Sequence, residues 1–200
     1  MTDARHHAPA TLRNREPILA VLRPILPQRG LVLEIAAGSG EHAVWFGEQL
    51  PRLAFQPTDP DPRALASIAA WIAKTGVANV RPPIMLDAAS ETWPVAAADA
   101  VVCVNMIHIS PWQSTLGLLR GAAAALPAGA PLYLYGPYIR EGVATAASNL
   151  DFDADLRRRD PAWGLRDLAD VAAAARATGF SGPDVTEMPA NNLSVVFRRL

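Results

Sequence analysis

Three carboxylates and a short glycine loop define the chemistry open to this sequence. Glu34 interrupts the apolar run Leu31–Ile35, and the loop that follows reads Ala36-Ala37-Gly38-Ser39-Gly40. Asp59 closes the next apolar run, "LAFQPTD", and Asp87 closes a third, "VRPPIMLD". In an open parallel sheet, ligands bind beyond the carboxyl ends of the strands, where the strand order reverses. Acids at three such ends beside a glycine loop point to a ligand carrying cationic or donor groups.

A dinucleotide would need glycines at Ala36, Gly38 and Glu41, because its pyrophosphate must approach the backbone and a helix N-terminus. Only Gly38 qualifies, and Glu41 would oppose two phosphates. S-adenosylmethionine carries no phosphate; its sulfonium and ammonium are attracted to carboxylates in a partly dry site. Glu34 fits that logic, and is expected either to face the cationic part or to orient the loop by accepting backbone N–H bonds. Asp59 is expected to accept from ribose hydroxyls, a role shared by dinucleotide and methyl-donor sites. Asp61 is its alternative, or else the cap of the helix that begins at Pro62. Asp87 is placed to accept from an adenine amino group, or to close a turn. Asn105 and Met106 end the run "DAVVCVNM" at the switch point and are expected to line the methionine end and the adenine face.

The elements that must position these groups alternate along the chain. Apolar positions at helical spacing predict helices over Leu12–Leu26, from Glu41 to Leu50, from Pro62 to Gly76, over "PWQSTLGLLRGAAAALP" and over "LRDLADVAAAARATGF". Between them lie strand patterns at Leu31–Ile35, "LAFQPTD", "VRPPIMLD", "DAVVCVNM" and "APLYLYGPY", and a closing pair around the turn "PANN". Such alternation predicts an α/β fold with a largely parallel sheet. Pro17 suits either the first turn of its helix or a break. The polar stretch from Ile139 to Gly164 carries no strand pattern and is expected to form a lid on the acceptor side of the site. The first eleven residues, with His6 and His7, are expected to be flexible.

Composition narrows the function classes. The chain has 200 residues, within the usual single-domain range of roughly 100–200. Its net charge of −1 gives no overall basic field for nucleic acid. The run Arg157-Arg158-Arg159 is flanked by acids and reads as a solvated helix face. Its one cysteine, Cys103, allows no disulfide within the chain and no cysteine-based zinc site. No apolar stretch reaches the ~18 residues of a membrane helix, and the first residues lack a signal-peptide core, so the cytoplasm is the expected location. No metal is expected.

The strings "VLEIAAGSGEHA", "PTDPD", "LDAA" and "DAVVCVNMIHI" resemble the first four motifs of class I S-adenosylmethionine-dependent methyltransferases. Ala36 departs from that pattern, which has glycine there. Over nearly the whole chain, "RNREPIL", "QPTDPD", "NMIHISPW", "YGPY", "SNLDFDADLRRRDPAWGLRDL" and "MPANNLSVVFRR" resemble the methyltransferase-like 26 family, also called domain of unknown function 938. In that family the alanine form of the loop is normal. The resemblance implies a Rossmann-like seven-stranded sheet in the order 3-2-1-4-5-7-6 with strand 7 antiparallel, S-adenosylmethionine as cofactor, and Arg13 and Asn14 covering its pocket. It brings no acceptor substrate with it.

Methyl transfer is an in-line displacement that needs a base only if the nucleophile must lose a proton. His108 is the titratable group placed for that role, or else a histidine bound to a loop carbonyl. Trp112 either caps the pocket or starts a core helix. Tyr138, Asn149, Phe152, Arg157, Trp163 and Arg166 are the expected acceptor-side residues. Arg157 or Arg166 either clamps an anionic acceptor or pairs with Asp153, Asp160 or Asp167. Asn191 and Asn192 belong to the last turn. Three readings follow: a small-molecule methyltransferase, a catalytically weak S-adenosylmethionine-binding protein acting through a partner, and an NAD-dependent oxidoreductase, which the loop disfavours.

Overall fold

The computed structural model describes residues 4–200. Helix α1 (Pro9–Ile25) precedes β1 (Gly30–Ile35), α2 (Glu41–Gln49), β2 (Leu53–Asp59), α3 (Pro62–Thr75), β3 (Ile84–Met85), β4 (Ala100–Val104), α4 (Trp112–Ala125) and β5 (Pro131–Gly136). Short strand β6 (Tyr138–Ile139), α5 (Ala147–Arg159) and short strand β7 (Arg166–Asp167) follow, then α6 (Leu168–Ala177), β8 (Phe180–Met188) and β9 (Asn192–Arg199). The main sheet has seven strands in the order β3-β2-β1-β4-β5-β9-β8, and β6 pairs with β7 apart from it. Only β9 runs against its neighbours β5 and β8. This is the expected 3-2-1-4-5-7-6 order, with the two short strands β6 and β7 intercalated in the numbering.

Strand periodicity sorts the side chains onto two faces. Leu33 and Ile35 of β1 and Leu132 and Leu134 of β5 join Leu118, Leu119, Val171 and Ala175 from α4 and α6. Val32, Val102, Tyr133 and Tyr135 face the other way and pack with Ile18, Leu22 and Phe46 from α1 and α2. Glu34 shares the face of Val32, so it points toward α1 at the carboxyl end of β1. The switch point lies there, since β1 pairs with β2 on one side and β4 on the other.

Four expectations change. Helix α1 starts at Pro9 and runs through Pro17 without ending, so Pro17 is neither a first-turn residue nor a break. The chain before it is held in place. His6 N–H donates to Ser67 Oγ, Trp71 Nε1 donates to the His6 carbonyl, and Ala8 N–H donates to Glu41 Oε2. The first eleven residues, expected to be flexible, thus make defined contacts from His6 onward; the first three lie outside the described residues. The stretch 139–164 contains a 13-residue helix, α5, of which only Asn149 and Leu156 are buried. That is why no apolar stripe marks it in the sequence. Finally, β4 ends at Val104: Asn105 takes a left-handed conformation (φ 63°), and Met106–His108 form a 3₁₀ turn. Asparagine tolerates that conformation better than most residues.

Candidate functional site

The loop after β1 is built around two left-handed residues, Ala36 (φ 55°) and Gly38 (φ 58°), with Gly40 (φ 88°) opening α2. Ala36 thus occupies a conformation for which glycine is the usual choice. A Cβ on Gly40 would lie 2.8 Å from Ile68 Cα, so this glycine lets α3 close on the loop. A Cβ on Gly38 would meet nothing within 4 Å, because Gly38 faces a cleft.

The loop is gripped from β2 rather than by Glu34. Asp59 Oδ2 accepts the Gly38 N–H at 2.9 Å and Oδ1 accepts the Asp61 N–H at 2.9 Å. The Thr58 carbonyl accepts the Ala37 N–H, and Thr58 Oγ1 donates to the Glu34 carbonyl. No backbone N–H of the described residues reaches the Glu34 carboxylate, so it does not orient the loop. Its Oε2 is buried without a hydrogen-bond partner. Burial first, and then the Asp59 charge, raise the Glu34 pKa to about 8. Burial also raises Asp59, opposed by the N–H groups of Asp61 and Gly38.

Glu34, Ala36, Gly38, Asp59, Asp61, Asp87, Asn105, Met106 and Asn14 line one cleft of about 610 Å³. Gly40 lies behind it. Asp61 caps α3 by accepting the Arg63 N–H, while one edge of it borders the cleft. Asp87 accepts the Ala89 N–H through Oδ1, so it closes a turn and borders the cleft as well. The lining holds four carboxylates and, among the described residues, no lysine or arginine.

A second chamber of about 470 Å³ abuts the first and shares Ala10, Asn14 and Asn105 with it. It is bounded by Arg13, Tyr135, Phe152, Asn149 and Asn192, and no carboxylate is among its described lining residues. Asn14 sits at the junction. Its Oδ1 lies 2.8 Å from His42 Nε2, and its amide reaches toward the Tyr135 hydroxyl. Burial, with Arg15 nearby, lowers His42 to about 4, so His42 is neutral and donates to Asn14. Burial raises the Tyr135 hydroxyl, and Asn14 and Arg13 pull it partway back.

The remaining expected residues divide. Asn149 and Phe152 reach the second chamber. Trp163 lines the first cleft instead, beneath Arg159. Tyr138 is buried and lines neither chamber, bordering instead a smaller cavity of about 230 Å³. Arg157 pairs with Asp153 at 2.9 Å, and Asp153 also accepts the Leu165 N–H. Arg166 donates to the carbonyls of Ile107, Ser110 and Ala162 and lies over Trp112. Both arginines brace the segment between β6 and α6, and neither lines either chamber. Asn191 supports the turn, and its carbonyl accepts from Asn149.

His108 is the clearest correction. It is fully buried, lines neither chamber, and packs edge-on against Tyr138 at 5.0 Å over Gly136, whose missing Cβ makes room for the ring. Neither ring nitrogen has a partner, and burial, then Arg166, lowers its pKa to about 3. It cannot take a proton from a ligand in either chamber. Cys103 is buried too, with its thiol pushed up to about 12 by burial. Tyr135, His42, Ser39 and Thr11 were not singled out by sequence. Tyr135 had a usable signal: it stands at the carboxyl end of β5, paired with Val104 beside the switch point.

An open α/β sheet of this order is the Rossmann-like fold seen in solved S-adenosylmethionine-dependent methyltransferases. The apo S-adenosylmethionine-dependent methyltransferase SibL superposes with a TM-score of 0.78 at 22% identity, over 95% of this chain and 55% of that one. The mitomycin 7-O-methyltransferase MmcR gives 0.81 at 19% identity, over 96% and 54%. An O-methyltransferase family protein from Burkholderia thailandensis gives 0.78 at 18%, over 95% and 57%. The chain spans about half the length of these proteins. Residues 5–199 match the family described as Protein of unknown function (DUF938), and the chain belongs to that family.

Proposed function

We propose that this chain is an S-adenosylmethionine-dependent methyltransferase acting on a small-molecule acceptor. The observation that carries the reading is the first cleft: four carboxylates, no basic lining residue among those described, and a glycine loop held open by Asp59. That charge pattern suits a cationic ligand and opposes a pyrophosphate. Glu34 lines the same space and keeps one buried oxygen, Oε2, without a hydrogen-bond partner, so a cationic group against its carboxylate would offset the cost of that burial.

In this reading Asp59 accepts from the ribose hydroxyls and Asp87 from the adenine. Met106 flanks the ring. Glu34, Asn105 and Asn14 border the methionine end, with Arg13 beyond them. The bound donor supplies an activated methyl group. The chain's own part is to orient it toward the second chamber and keep water away. The similarity of the fold to methyltransferases, and of the motifs to methyltransferase-like 26 proteins, supports the same conclusion.

Thermal unfolding with added ligand tests it, because a ligand bound only by the folded state raises stability by mass action. S-adenosylhomocysteine is expected to raise the midpoint, NADH to leave it unchanged, and Asp59→Ala to remove the shift. A shift with NADH alone would overturn the reading.

A further inference from the structure

The two chambers carry opposite charge. The first is acidic; the second has one guanidinium, Arg13, and no carboxylate among its described lining residues. Arg13 is exposed, makes no ion pair among the described residues, and precedes Asn14, the residue at the junction. An anion would therefore be drawn to the second chamber rather than to the acidic first.

The second chamber has no histidine or carboxylate among its described lining residues that could deprotonate an acceptor. His42 Nε2 is committed to Asn14, and His108 lies outside both chambers. Tyr135 is a neutral hydroxyl, raised by burial. An alcohol, phenol or ammonium acceptor would have to lose a proton, and no described lining residue of this chamber stands ready to take it. A carboxylate needs none. It arrives ionised, and its charge matches Arg13. Phe152 and Pro137 offer an apolar wall to a flat body.

We propose that the second chamber binds a small aromatic acid as its carboxylate, with Arg13 on the anion, and that the carboxylate oxygen is the methyl acceptor. This rests on the methyl-donor reading above. One oxygen–carbon bond forms from the carboxylate lone pair as the carbon–sulfur bond breaks. The bonding pair stays on sulfur, the two charges cancel, and no proton moves. The product is a methyl ester.

Two measurements on the full chain test this. The first is calorimetric binding of benzoate, phenylacetate, 4-hydroxybenzoate and indole-3-acetate, each against its neutral amide, to protein saturated with S-adenosylhomocysteine. At least one acid is expected to bind about tenfold more tightly than its amide, the scale of one charge-assisted contact. Arg13→Gln is expected to erase the difference and Arg13→Lys to keep part of it; Arg13 is exposed, so neither should disturb folding. The second measurement incubates the same acids with methyl-labelled donor and treats the product with alkali, which releases an ester's label as methanol. Alkali-stable label, no label, or acids binding no better than amides overturns the proposal. Failure of S-adenosylhomocysteine to stabilise the protein would instead defeat the donor reading, so the two failures are distinguishable.

Discussion

Raising the pH from 6 to 8 is expected to tighten S-adenosylmethionine binding to the wild-type chain and to leave Glu34→Gln unchanged. The folded Glu34 pKa is about 8, against an ordinary value of 4.5. Burial is the main cause and the Asp59 charge the second. In the free chain the carboxyl is therefore about 99% protonated at pH 6 and half ionised at pH 8. If a cation is bound by the ionised form, affinity scales with that fraction and rises about fifty-fold over this range. At pH 7 binding should release about 0.9 proton. Calorimetry in two buffers of different ionisation enthalpy counts that proton directly. The sign for stability is opposite. A raised carboxyl favours folding below its unfolded pKa, and this contribution is lost as pH climbs through about 8. Glu34→Gln should flatten that loss. No proton release at pH 7, with equal affinity at pH 6 and 8, would refute the assignment of Glu34 to the cationic end.

Other perturbations have equally definite outcomes. Asp59→Ala strips the acceptor from the Gly38 and Asp61 N–H groups. It should cost about 2 kcal/mol of stability by urea unfolding and at least about tenfold in S-adenosylhomocysteine affinity. Ala36→Val forces a β-branched side chain into φ 55° and should destabilise by about 1–2 kcal/mol, whereas Ala36→Gly should be nearly neutral. His42 and His108 have pKa values lowered to about 4 and about 3. Their contribution is complete above pH 6.5 and is lost as pH falls, by about 2 kcal/mol each at pH 5. Proton NMR should find neither ring titrating between pH 8 and 5.5, and His108→Leu should reduce the acid loss.

Much of the fold was legible because its signals are local. The strand ends at Glu34 and Asp59, the stop at Gly76 and the antiparallel tail all follow from short patterns. Helix α5 was invisible because only Asn149 and Leu156 anchor it, so tertiary contacts rather than periodicity define it. The cleft residues could be named from strand ends, but their division of labour could not. Which acid grips the loop depends on Asp59 lying across from Gly38, a relation set by the β1–β2 register. His108 looked like a base by position. The 3₁₀ turn at Met106–His108 rotates it into the core, where Gly136 gives it room. Arg157 and Arg166 read equally as clamp or brace until their partners, Asp153 and three carbonyls, were in view. The charge contrast between the two chambers sets Arg13 of α1 against acids from β1, β2 and the turns after β2 and β3, and no single segment carries it.

The most direct test of the account is a crystal structure of the chain with S-adenosylhomocysteine. The account predicts the adenosine between Asp59 and Asp87, and the sulfur directed toward the junction at Asn14 and Asn105. A ligand seated in another cavity, or lying in the cleft with its adenine toward that junction, would contradict it.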